Sequence, residues 1–299
     1  MDVLSDVLTV LRTGRPRSAL LTWHAPWAQE FAAVPGAAGF HVVLRGRCWL
    51  TRPGEAPLAL QAGDVVFRPH GPAHTLSDDP STRPVTAACH PAPDGPLFAV
   101  DEIGTPAGTG VTVTLCGAYE LDPVLVHPLL LDLPDLIHVR AAHLPAADLL
   151  AAELERPRLG TDALVPALLE TLLLYLLRAA LDGHPGATGW PGALRDRPTA
   201  AALAAMHRDP ARPWTVAALA AEARMSRATF ARRFTALVGQ PPLTYLTWWR
   251  LTTAARLLRR DDAPLAVVAK AAGYTSEFAF AAAFKRQHGI APGRYRLSA

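Results

Sequence analysis

Cysteine is nearly missing from this chain: three in 299 residues, Cys48, Cys89 and Cys116, odd in number and without paired spacing. That excludes the disulfide framework of a small secreted protein. Long hydrophobic runs are missing too. The longest run of large apolar residues, 172–177, is far short of the roughly 20 residues that cross a bilayer. The first twenty residues mix Asp2, Asp6, Arg12, Arg15 and Arg17 with short apolar pieces, which is not the pattern of a secretory signal. A cytoplasmic protein with no membrane partner is expected. Lysine is scarce, arginine supplying nearly all of the 29 basic residues. With abundant Ala and Pro, that is the bias of a GC-rich coding sequence and carries no functional meaning.

What is present begins with an uneven charge. The net +3 divides sharply: residues 197–299 carry 16 Arg and Lys against 5 Asp and Glu, a net +11, and residues 1–196 carry 13 against 21, a net −8. The chain is long enough for two domains, and only the C-terminal one has the electrostatic footprint of a phosphate-binding protein.

The stretch 214–296 reads as two helix-turn-helix units joined by one long helix. In the first, an Ala-rich helix ends near Ala223 and Ser226 stands where an N-cap would satisfy the orphan N–H groups of a new helix. Phe230 and Phe234, four residues apart, share a face that packs on Leu219 and Ala220. Arg227, Ala228, Ala231 and Arg232 then turn outward. About fifty residues later the pattern recurs: Gly273 supplies a turn, Thr275 or Ser276 a cap, and Phe280 with Phe284 the buried pair. Between the units, 241–260 has apolar residues at helical spacing over about 30 Å. That is close to one turn of B-DNA, roughly 34 Å, so two recognition helices would reach successive major-groove segments.

At these residues the chain resembles the AraC/XylS family of regulators. The resemblance covers the last hundred residues and rests on Leu219-Ala220, Met225-Ser226, Phe230, Arg233-Phe234, Gly239, Pro242, Tyr245, Arg250, Ala254, Leu257, Ala269, Gly273-Tyr274, Ser276, Phe280, Phe284-Lys285, Gly289, Pro292 and Tyr295-Arg296. Carried over by position, it implies base contacts at Ala228, Ala231 and Arg232 in the first helix, and at Glu277, Phe278 and Ala282 in the second. The second set carries no basic or amide side chain. Arg232 is the base reader, toward guanine. Arg227, Arg233, Lys285, Arg286, Arg294 and Arg296 are phosphate candidates, with Arg233 and Arg296 equally placed to brace the fold. Phe278 either meets a thymine methyl or packs inward.

From 18 to about 116 the chain turns β-like, with short apolar runs at 19–24, 40–50, 58–60, 64–69 and 111–116 punctuated by Gly and Pro, as in a double-sheet barrel of the jelly-roll kind. Gly63, Pro69, Gly71 and His74 resemble the second cupin motif. Of the first motif, which normally brings two His and a Glu, only His41 is found. Together with Trp27, Phe40, Gly46, Trp49-Leu50 and Cys116-Gly117, these residues resemble the cupin-type sensor domain of one AraC-family branch, over roughly 5–140.

His41 and His74 are the candidate ligands of a divalent metal in the barrel, with Cys89, His90 or Cys116 to complete the set; a hydrogen-bonded core role for the histidines is the alternative. Cys89 beside His90 would be a lowered-pKa thiolate able to sense oxidant, whereas Cys116 is as easily inert packing. A small-molecule effector in the barrel is the other option.

From 123 to 181 helices are expected, at 146–154 and 162–181. Leu164, Leu168, Leu172, Tyr175 and Leu176 line one stripe that Leu169, Leu173, Leu174 and Leu177 broaden, a candidate homodimer interface unless it packs only on its own barrel. The Gly- and Pro-rich stretch 183–198 reads as a flexible linker. The plan is therefore a cupin-like sensor domain over 1–140, a helical dimerisation segment over 141–182, the linker, and an all-α double helix-turn-helix domain over 199–299. The function expected is that of a non-enzymatic regulator that binds double-stranded DNA and recruits RNA polymerase under control of a small molecule or oxidant. Two rivals stand beside it: a cupin metal enzyme tethered to DNA, and a constitutive DNA-binding protein with a ligand-free barrel.

Overall fold

The computed structural model describes residues 2–11, 16–34, 36–84, 86, 89, 96–104, 110–121, 126–140, 144–183, 188–260 and 262–297. They form two compact units. One consists of Arg12–Val126 and Leu133–Gly183, the other of Met1–Leu11, His127–Asp132 and His184–Ala299. The chain therefore passes between units four times, after Leu11, Val126, Asp132 and Gly183, which differs from the single junction expected near 183–198.

The first unit is sheet-rich. Its strands are β1 (Arg17–His24), β2 (Ala28–Phe31), β3 (Ala37–Arg45), β4 (Arg47–Thr51), β5 (Leu58–Gln61), β6 (Val65–Arg68), β7 (His74–Ser77), β8 (Phe98–Ile103), β9 (Val111–Glu120) and β10 (Ile137–Val139). They make a six-stranded sheet in the order β10-β6-β3-β9-β1-β8 and a four-stranded sheet in the order β2-β7-β4-β5. The expected double-sheet cupin architecture is present as two sheets, not as one closed barrel. The run 40–50 breaks into β3 and β4 at Gly46, whose φ of 75° turns the chain. Strands β2, β7 and β8 were not expected: sequences such as Ala-Gln-Glu-Phe and His-Thr-Leu-Ser have too few apolar residues to announce themselves. β2 and β7 form because each finds the other as an antiparallel partner.

A core of Trp23, Trp27, Val43, Cys48, Leu50, Leu60, Val66 and Leu76 fills this unit. Trp23 stacks on Trp27 at 4.4 Å between ring centroids and donates from Nε1 to Thr114 Oγ1 at 2.8 Å, so the large ring is buried without stranding its N–H. Where β9 crosses β1 and β3, a Cβ on Gly117 would stand 2.4 Å from the Arg17 carbonyl oxygen and 2.6 Å from the Phe40 ring. Only glycine lets those groups approach.

Two helices complete the unit, α3 (Pro145–Glu155) and α4 (Thr161–Asp182). By length and composition α4 could cross a membrane. Here its stripe of Val165, Leu169, Leu172, Leu173, Leu176, Leu177 and Ala180 is buried, and the Tyr119 hydroxyl donates to the Leu169 carbonyl at 2.8 Å. This corrects the stripe expected from sequence: Leu164 is 44% exposed, and Leu168 and Tyr175 are half-buried. A helix with leucines all round does not reveal which of them face its own core.

The second unit is helical: α1 (Val3–Leu11), α2 (Pro128–Leu131), α5 (Gly189–Arg195), α6 (Arg197–Arg208), α7 (Val216–Glu222), α8 (Arg227–Val238), α9 (Pro242–Arg260), α10 (Leu265–Ala271), α11 (Glu277–His288) and α12 (Pro292–Leu297). The stretch expected to be a linker holds α5, with Trp190 only 1% exposed, and the Asp196 cap of α6, which accepts from Thr199 N at 3.1 Å. Gly and Pro there are helix-start residues of short helices. At the centre the Tyr245 hydroxyl is hydrogen-bonded to His207 Nε2 at 2.6 Å and to His127 Nε2 at 3.3 Å. His207 Nδ1 lies 3.4 Å from Asp6 Oδ2, so α1, the 127–132 segment, α6 and α9 share one buried polar network.

Candidate functional site

The two helix-turn-helix units are α7–α8 and α10–α11. Ser226 accepts from Thr229 N at 3.3 Å and Ser276 from Ala279 N at 3.4 Å, the N-caps that start α8 and α11. Each turn is closed the same way, Met225 N donating to Ala220 O and Tyr274 N to Ala269 O, both at 2.9 Å. Each passes through one left-handed residue, Arg224 (φ 52°) and Gly273 (φ 75°). Glycine is needed at the second because a Cβ there would stand 3.0 Å from the Ala211 backbone, whereas Arg224 is exposed. The pairs Phe230/Phe234 and Phe280/Phe284, with centroids 5.5 and 5.6 Å apart, sit on the buried faces of α8 and α11.

The opposite faces carry the sequence-predicted contacts. On α8, Arg227, Ala228 and Arg232 are exposed and Ala231 is half-buried; on α11, Glu277, Ala282, Lys285 and Arg286 are exposed, and Phe278 is 89% exposed and so not a packing residue. Arg294 on α12 is exposed as well. Two of the phosphate candidates make the bracing contacts that stood as their alternative. Arg233 pairs with the Asp196 carboxylate through Nη2 and through Nε at 3.1 Å, and Arg296 donates to the Ala263 carbonyl at 2.5 Å. Sequence spacing leaves a basic residue on a helix surface free; only the neighbouring element shows that it is taken.

The sheet unit contains an apolar cavity of about 300 Å³ that brings together His41, His74, Cys89 and Cys116. His90 lies outside the described residues. His41 Nε2 and His74 Nε2 are 2.7 Å apart, and the Phe31 ring stacks on His74 at 4.9 Å. Arg68, which sequence reasoning missed, lies in the same wall with Nη1 against both ring nitrogens of His74, nearer Nδ1. Its signal was there: an arginine ending the wholly buried strand Val65-Val66-Phe67-Arg68. These residues do not fit a metal. Among the described residues no three His, Cys, Asp or Glu side chains are placed to hold one, and a guanidinium presses on one of the two imidazoles.

Burial, and then the charge of Arg68, holds the His41 imidazole down to about 3; burial, with His41 and Arg68, depresses His74 as well. Burial pushes the Cys116 thiol up to about 12 and raises Cys89. Burial outweighs the backbone hydrogen bonds that favour the Cys116 thiolate, and among the described residues nothing offsets it at Cys89. The histidine shifts predict a pH dependence. Below about pH 6.5 the unfolded chain takes up protons that the folded unit refuses, so stability falls as pH drops from about 6.5 toward 3. Urea midpoints at pH 7 and pH 5 should show this loss, and the double variant His41→Gln, His74→Gln should reduce it, the remainder coming from His127 and His207, which burial also depresses.

Comparison with known proteins also divides the chain in two. The cupin family matches residues 2–182 and a helix-turn-helix domain family matches 219–298. An AraC-like transcription regulator of Streptomyces lividans is 41% identical over 99% of this chain and 98% of its own length. The HTH-type transcriptional regulator AlkR of Acinetobacter baylyi is 30% identical over 99% of both. The DNA-binding domain of AdpA, solved in complex with a target DNA, is 38% identical over 32% of this chain and 87% of that one, with a TM-score of 0.32. The chain belongs to the AraC-like transcription regulators: a cupin domain joined to a helix-turn-helix DNA-binding domain.

Proposed function

We propose that this regulator is switched by a small molecule held in the cupin cavity, and that it works in the cytoplasm as a homodimer that recruits RNA polymerase. The observation that carries the reading is the cavity itself, apolar in its walls and equipped with a few convergent polar groups, the usual form of a small-molecule site. Oxidant sensing is the weaker reading because both cavity thiols are held protonated at neutral pH. Reporter induction by hypochlorous acid should be unchanged by Cys89→Ser and Cys116→Ser; loss of induction in either variant would restore the redox reading.

The dimer contact we assign to the helix pair α3–α4, where Leu149, Leu159 and Leu164 are exposed. Sedimentation of the wild type against Leu159→Glu with Leu164→Glu tests it, a dimer-to-monomer shift being expected.

On DNA, α9 runs roughly 28 Å at 1.5 Å per residue, which suits α8 and α11 to successive major-groove segments of one face. The decisive experiment is fluorescence anisotropy of the full chain on DNA flanking its own gene, across salt and with candidate effectors. Four exposed phosphate candidates remain, Arg227, Lys285, Arg286 and Arg294. At roughly −0.9 per contact they predict a slope of about −3.6 in log affinity against log salt. Arg232→Ala should weaken specific binding by roughly 5- to 150-fold and relax selectivity at one base, the equivalent of about 1–3 kcal/mol. Arg233→Ala should leave the salt slope unchanged. Unselective binding by the wild type would overturn the reading of α8 and α11 as base readers.

A further inference from the structure

The cavity of the sheet unit holds an excess of hydrogen-bond donors. Arg68 is 3% exposed, and among the described residues its Nε and Nη2 have no hydrogen-bond partner; His41 Nδ1 and Ser18 Oγ are likewise buried without one there. Arg68, His41 and Ser18 all line the cavity. A guanidinium carries no acceptor, so the unmet nitrogens of Arg68 are N–H donors.

A buried donor left without an acceptor is destabilising, and more so when it is charged. The group that completes this site is thus an acceptor, and beside a buried guanidinium it is an anion. Among the described residues Arg68 makes no ion pair that would supply one, whereas Arg17, also on the cavity wall, already faces Glu120 at 3.9 Å. The remaining walls, including Phe31, Val34, Ala37, Ala99 and Ala118, are apolar and offer nothing to solvate a dianion. At about 300 Å³ the cavity is at the low end of the small-molecule range, roughly 300–1,000 Å³.

We propose that the cavity binds an organic monocarboxylate with a compact apolar body, Arg68 serving as its counter-ion and the Ser18 hydroxyl as a further donor. This rests on the reading of the cavity as the effector site and names the chemical class of the effector.

The test is calorimetric titration of the full-length protein with butyrate, octanoate and benzoate, each against its matching alcohol, and with inorganic phosphate. At least one carboxylate should bind, its alcohol roughly tenfold or more weaker, and phosphate not at all; that margin is what one charge-assisted contact supplies. Arg68→Gln should weaken the carboxylate by a similar factor and leave the alcohol within about twofold. Arg68→Lys, which keeps the charge and loses the planar fork, should fall between and guards against a folding failure of the first variant. Equal binding of acid and alcohol, no binding by any of the acids, or carboxylate binding indifferent to both substitutions would overturn the proposal. DNA anisotropy run in parallel separates the two readings. A carboxylate that binds without moving DNA affinity upholds the ligand assignment and removes its role as effector. Intact, selective DNA binding with no carboxylate bound removes the ligand class alone.

Discussion

Replacing Trp190 by alanine should cost the helical unit about 3–5 kcal/mol, the range for truncating a fully buried large aromatic. The indole is 1% exposed, with ring centroids 4.6 Å from His127 and 5.5 Å from Tyr245, two members of the network that ties α1, α6, α9 and the 127–132 segment together. Removing it leaves a cavity against polar rings that depend on their present positions to stay hydrogen-bonded, so the surroundings collapse poorly. Chemical unfolding followed by tryptophan fluorescence and by far-UV circular dichroism gives the loss. A change under about 1 kcal/mol would mean that 183–198 behaves as the linker its composition suggests.

Phe284→Ala should be as severe, about 3–5 kcal/mol, and should abolish specific DNA binding at ordinary temperatures. Phe284 is fully buried between α11 and α12, with rings of Phe280, His288 and Tyr295 at 5.6, 4.2 and 5.2 Å. The same helix contains its own control. Phe278, six residues earlier and 89% exposed, should change stability by no more than about 0.5 kcal/mol when made alanine. If Phe278→Ala nevertheless weakens DNA binding, its ring touches the duplex; if both variants unfold alike, α11 is not oriented as described. Temperature-dependent anisotropy together with urea midpoints distinguishes these outcomes.

The helical half was legible because its signals are local. A Ser cap, a left-handed turn residue and two phenylalanines one helical turn apart all act within about a dozen residues, so Ser226, Gly273, Phe230/Phe234 and Phe280/Phe284 stand where spacing puts them. The sheet half was legible where apolar runs were long and illegible where a strand depends on its partner, as for β2 and β7. The cavity was half legible. His41 and His74, 33 residues apart in the chain, take the hydrogen-bonded core role that stood as the alternative to a metal site, but nothing local marks Arg68 as the group that presses on His74.

By its order of residues alone this chain determines a basic, double helix-turn-helix C-terminal half, an acidic β-rich half before it, and the helix faces that stay exposed. Periodicity, capping and charge are properties of contiguous segments, and they need no distant partner to be expressed. Only tertiary structure decided that Arg233 braces Asp196, that the first eleven residues and 127–132 fold with the helical unit, and that 189–195 is a buried helix. It also decided that the cavity wall holds an arginine two of whose nitrogens have no hydrogen-bond partner among the described residues. Each of these depends on which groups are desolvated together, and desolvation is set by the three-dimensional neighbourhood, so residues far apart in sequence fix one another's charge, tautomer and exposure.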